Sequence, residues 1–207
     1  HGLCHALFCA PIPFYQNMRK DLIGLHLKKQ LLHLYLLEIF GSLSLTDGIW
    51  IIFLIQRGFS LVEVGLAETA FHIASFFFEI PSGAIADLFG RKKAMIASYL
   101  CMILSAVLTV AAWNLPSLCL AMVFTAFSYN LNSGTRDALT YDSLKAGGEE
   151  ERYLSVNSNQ RFLCSAAVSL SKLTTGIAGR IGYILSYGCN VVFCGISILL
   201  IGGIKEP

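Results

Sequence analysis

Apolar residues run along this chain in six long blocks, at roughly 31–55, 61–86, 94–113, 115–136, 155–178 and 182–204. A helix needs about 20 mostly apolar residues to cross the hydrocarbon core of a bilayer, and each block is long enough. The interruptions are short and polar: QRGFS, LFGRKK, the corner at Asn114–Pro116, the stretch around LKAGGEEER, and GRIGY. No period-2 alternation of a membrane barrel is present. The pattern predicts an all-α membrane protein of six transmembrane helices, with neighbouring spans alternating in direction. Residues 1–30 read as an amino-terminal tail and 31–207 as one six-span domain. Residues 1–17 read as an extension ahead of a natural start at Met18, which is followed by Arg19 and Lys20.

Composition agrees with lipid as the solvent. Only 14% of residues are charged, 55% are hydrophobic, and the mean hydropathy is +0.64. Soluble domains carry about 25% charged residues. The net charge of +2 points to no nucleic-acid partner. The cysteines at 4, 9, 101, 119, 164, 189 and 194 form no C-x-x-C and read as small hydrophobes.

Lysine and arginine set the expected orientation. With the amino terminus in the cytoplasm, Arg19, Lys20, Lys28, Lys29, Arg91, Lys92, Lys93, Lys145, Arg152 and Lys205 lie inside. Arg57 and Arg180 lie outside, while Arg136, Arg161 and Lys172 fall within spans or at their ends. Both termini are then cytoplasmic.

The stretch PSGAIADLFGRKKAMIAS, residues 81–98, concentrates charge between two apolar blocks. A phosphate-cradling loop needs a preceding strand and a G-K-[ST], and neither is present. A basic targeting patch does not suit a loop pinned between spans. A tight turn remains, with Gly83 and Gly90 allowing close approach and reversal. The pattern Gly83, Asp87, Gly90, Arg91, Lys92 resembles the signature loop between the second and third spans of the major facilitator superfamily of secondary transporters. ALTYDSL, with Asp142, resembles that family's fourth-span ending. The resemblance covers about residues 30–207 and implies one six-helix half, the amino-terminal one, of a two-half fold. It implies a charge clamp of Asp87, Arg91 and Asp142 on the cytoplasmic face. It implies a pathway lined by the first, second, fourth and fifth helices, with the third and sixth peripheral. The chain departs from the family's drug–proton antiporters, because its fifth span holds no proline.

Ionisable groups inside lipid cost about 2.5–3.5 kcal/mol each on insertion scales, so each needs a partner or water. Glu68, His72, Ser75 and Glu79 share one face of the second span. Asn157, Arg161, Ser165 and Lys172 form a second stripe on the fifth. These read either as walls of an aqueous cavity or as helix–helix glue. Glu68 and His72 have metal-ligand spacing but no third ligand in register, so no metal or other cofactor is expected. Glu38 and Asp47, nine residues apart, project from opposite sides of the first span. By depth Glu38 matches Arg161 and Asp47 matches Lys172, leaving at least one acid to face the pathway and bind a cation or proton. Tyr129, Asn130 and Asn132 are hydrogen-bonding candidates, and Trp50 and Trp113 read as interfacial anchors.

The candidate pathway is therefore Glu38, Asp47, Glu68, His72, Glu79, Asn130, Arg161 and Lys172. The expected function is secondary transport of a small solute across the cytoplasmic membrane by alternating access, with export of drugs or amphiphiles ahead of sugars or other metabolites. The expected partners are the bilayer, the substrate, a coupling proton or sodium ion, and a carboxy-terminal six-span half. A non-transporting six-span fragment or scaffold is the rival. No Ser/His/Asp, Cys/His or metal constellation supports an enzyme.

Overall fold

The computed structural model describes residues 12–173 and 182–204, with side chains from Leu27 onward. Regular structure among the described residues is entirely helical. In chain order the helices are α1 (Ile12–Ser42), α2 (Trp50–Gln56), α3 (Leu61–Phe89), α4 (Arg91–Ala111), α5 (Leu115–Ala146), α6 (Tyr153–Leu173) and α7 (Tyr183–Gly202), with a single 3₁₀ turn at Glu150–Arg152. By length and composition α3, α4 and α7 can each cross a membrane. The other long helices carry more polar residues.

The helix ends follow local chemistry. Ser60 and Glu63 form a reciprocal capping box that opens α3. Asn114 caps α5, with Pro116 in the first turn, where a missing N–H costs nothing. Arg57 donates to the carbonyls of Val110 and Ala112 and so closes the end of α4. Gly90 alone separates α3 from α4, and its φ of 95° lies where a side chain is strained. The expected reversal is thus made at this glycine.

Three expected boundaries change. The block at 31–55 is not one continuous helix: residues 43–49 leave helical geometry between α1 and α2. The sequence there, SLSLTDG, is rich in side chains that bond their own backbone and compete with the helix. Residues 12–30, read from sequence as a tail, are helical and continuous with the rest of α1. The fourth block, expected to stop at 136, continues as helix to Ala146, because charged residues end an apolar run without ending a helix. The stop comes at Gly147–Gly148. Residues 174–178 of the fifth block, Arg180, most of GRIGY, and Lys205 lie outside the described residues.

α5 is the central element, packed against α3 on one side and α4 on the other. α4 also packs against α7, and α1 lies against α5, α6 and α7. The α4–α5 seam is built from small hydroxyl residues. Ser98 donates to the Ser128 carbonyl at 2.9 Å and Ser105 to the Ala121 carbonyl at 2.9 Å. Lipid offers no hydrophobic drive between helices, so close backbone approach with such bonds is what holds them. Gly41 serves the same end in α1, where a Cβ would collide with the Tyr99 hydroxyl of α4. Apolar clusters fill both ends: Leu34, Leu37, Met95, Leu139 and Ile201 near Gly90, and Phe53, Leu54, Val64, Leu118 and Tyr187 near Arg57. α3 leaves Val62, Phe76, Phe77 and Ile80 exposed, which suits contact with lipid or another apolar surface.

Candidate functional site

Two consecutive residues of α5 organise the charges. Arg136 reaches α1 and pairs with Glu38 at 2.8 Å, where the Glu38 side chain is 3% exposed. Asp137 turns to α6 and pairs with Arg161 at 2.6 Å, in a position open to the surroundings. The depth match of Glu38 with Arg161 is therefore wrong. The helices rotate so that Arg136, a cation whose partner the sequence left open, fills the place beside Glu38. Beneath these pairs Thr140 and Gln160 bond each other, and Gln30 donates to Ser143 at 2.7 Å.

The expected Asp47–Lys172 pair does not form either. Asp47 sits in the unwound segment and accepts from Ser44 Oγ at 2.5 Å, while Lys172 is exposed on α6. The unwound backbone is satisfied by other helices. Asn190 of α7 accepts from the Leu45 N–H at 2.9 Å and donates to Thr46 Oγ1 at 2.6 Å. Ser171 of α6 accepts from the Ser44 N–H at 3.0 Å. Irregular backbone at membrane depth is tolerated only with such partners.

On α3 the stripe Glu68, His72, Ser75, Glu79 lies along the edge of the face packed on α5. Glu68 and His72 approach to 3.6 Å and both are open. Ser75 is tied to Asn130 of α5, whose amide donates to the Ser75 carbonyl at 2.9 Å. Below this tie is a cavity of about 400 Å³ that Glu79 lines with Tyr129 and Asn130. Among the described residues no cation lies within ion-pair distance of Glu79, and no three His, Cys, Asp or Glu side chains gather as a metal would require.

At the Gly90 end Arg91 pairs with Asp142 of α5 at 2.7 Å. Lys92 donates to the carbonyls of Gly202 and Ile204 at 2.9 and 2.8 Å, where the end of α7 carries negative partial charge. Asp87 stands apart from this group. It is exposed on the last turn of α3, and among the described residues it makes no ion pair. Gly83 is inside α3, and a Cβ there would meet nothing within 4 Å, so no close approach within this chain accounts for it. Trp113 is 83% exposed, whereas Trp50 is partly buried against the core.

Asp137, Asn190 and Ser171 escaped sequence reasoning. The signals were faint: an Arg–Asp pair inside a helix, and one asparagine in the apolar run of α7. Comparison with known proteins places this arrangement. Residues 32–205 match the Major Facilitator Superfamily. Over 160 residues the chain is 27% identical to the uncharacterized MFS-type transporter YxaM of Bacillus subtilis (strain 168), a match covering 77% of this chain and 37% of that protein. The chain thus spans well under half the length of this relative. The all-helical bundle, its apolar helices and the match over most of the chain together mean that it belongs to the Major Facilitator Superfamily, a family of multi-pass membrane transporters of small molecules.

Proposed function

We propose that this chain is the amino-terminal, six-span half of a secondary transporter that works by alternating access, rocking against a carboxy-terminal half. The observation that carries the reading is the run of charges across α1, α5 and α6, a buried Glu38–Arg136 pair beside a more open Asp137–Arg161 pair, in a largely apolar bundle. Such groups are costly in a membrane and mark solute and ion routes. In this reading 1–30 is a cytoplasmic tail and 31–207 is the transmembrane half, in the cytoplasmic membrane with both termini inside. The chain has no enzymatic role.

The pathway residues have distinct parts. Glu38 and Arg136 exchange partners as a coupling proton or sodium ion comes and goes, and Asp47 offers a second carboxylate near the other end. Glu68, His72, Glu79, Asn130, Arg161 and Lys172 line the route. Arg91 and Asp142 hold α4 to α5, Lys92 holds α4 to the end of α7, and the exposed Asp87 meets the other half beside Gly83. Export of amphiphiles or drugs is the favoured direction and substrate class. The test is flux of a labelled solute panel into and out of vesicles bearing the full-length protein, under imposed proton and sodium gradients. Gradient-driven flux lost in Glu38→Gln supports the reading. Absence of any gradient-dependent flux across the panel, with the protein folded and inserted, overturns it.

A further inference from the structure

We infer that the cavity between α3 and α5 is the subsite for the ammonium group of a protonated organic amine, with Glu79 as its counter-charge. The inference rests on the transport reading above and gives it a substrate class. It begins from charge accounting. Glu38 is neutralised by Arg136 and Asp137 by Arg161, so neither arginine is left over to serve Glu79. Asp142 is compensated by Arg91. Glu79 is the acid that lines a cavity with no cation from the described residues beside it. A carboxylate on a helix able to cross a membrane calls for a positive partner or water.

The walls select the kind of cation. The cavity, about 400 Å³, lies at the small end of ligand sites and fits a compact head rather than a large solute. Asn130 is anchored by its bonds to Ser75, so its position is set before anything binds. Tyr129, 59% exposed, also lines the cavity and brings an aromatic side chain to its wall. Gly83 and Gly134 keep the wall open, since a Cβ at either would meet nothing within 4 Å. Among the described residues no second carboxylate lines the cavity to neutralise a divalent metal ion. An anion would be repelled. A neutral polyol would use the hydrogen-bonding groups but give no reason for the acid. An amine uses both, its N–H groups meeting acceptors and its charge meeting Glu79.

The experiment measures equilibrium binding to the protein in lipid nanodiscs, using benzylammonium and its uncharged isostere benzyl alcohol. Benzylammonium should bind at least about tenfold more tightly, a modest advantage for a charge pair at a protein surface. Glu79→Gln should remove that advantage, and Glu79→Asp should keep most of it. Equal binding of the two probes by the wild type overturns the proposal, whatever the variants do. So does an unchanged preference in folded Glu79→Gln, which would place the cation elsewhere. Binding of benzylammonium without gradient-driven flux would sink the transport reading and leave the subsite. Flux of other solutes with no preference for the amine would sink the subsite and leave the transport reading.

Discussion

The two polar stripes of this bundle look alike in sequence and differ in structure. Arg161 of α6 is met by Asp137 of α5, and Arg136, next to Asp137 on α5, is met by a buried Glu38. On α3, Glu68 has only His72 nearby, and Glu79 faces a cavity. The first set joins three helices, and each of its charges is matched within the bundle. The second hangs from a helix that packs along one edge and leaves its charge available. Charge that has been matched internally can take up an ion only by exchanging partners, while charge left over on a cavity wall is free to bind as it stands.

Breaking the most buried member should cost most. Arg136→Ala strands the Glu38 carboxylate, and loss of one partner of a buried pair costs about 3–5 kcal/mol. A large drop in thermal midpoint in detergent is expected, with partial recovery when Glu38→Gln is added. A midpoint close to wild type would mean that Glu38 reaches water. Next comes the unwound segment. Asn190→Ala leaves the partly buried Leu45 N–H without its acceptor, a loss of about 1 kcal/mol. The midpoint should fall by less than for Arg136→Ala, and a cysteine at Ser44 should become more reactive to small thiol reagents. Unchanged reactivity together with an unchanged midpoint would show that Ser171 alone holds the segment.

The Gly90 end sharpens the comparison further. Arg91 and Asp142 are a partly exposed pair, so their coupling in a double-mutant cycle should be about 1 kcal/mol or less in stability. Losses in transport from Arg91→Ala and Asp142→Asn should still be non-additive, and strictly additive losses would argue against a network. The smallest expected stability effect is at the cavity. Glu79→Gln removes an exposed charge without an internal partner and should change stability by no more than about 0.5 kcal/mol. A clear loss of midpoint there would move Glu79 from the available set to the structural one.

Much of the fold was legible because lipid makes helices announce themselves. A spanning segment must satisfy its own backbone, so it needs a long apolar run and ends at turn residues. The ends of α2, α3 and α4 fall at or within a few residues of the expected polar breaks, at Gln56, Phe89 and Ala111. The sequence also placed Arg91 and Asp142 at the same end of the bundle, and the structure joins them. The interior pairs were not legible in the same way. Depth along a helix follows from counting residues, but the direction a side chain faces depends on how each helix is rotated by its neighbours. Counting therefore offered Arg161 to Glu38, and rotation supplied Arg136.

By itself, then, the sequence determined a helical membrane protein, where most helices end, and which residues are too polar to be left in lipid without a partner. These follow from local chemistry, since backbone hydrogen bonds within a helix and caps such as Ser60 and Asn114 need only nearby residues. Tertiary structure alone decided that the first block unwinds at residues 43–49 onto Asn190 and Ser171, that Glu38 is buried with Arg136, and that Glu79 lines a cavity. Each of those outcomes joins residues far apart in the chain, so each depends on how the helices pack and not on any one helix.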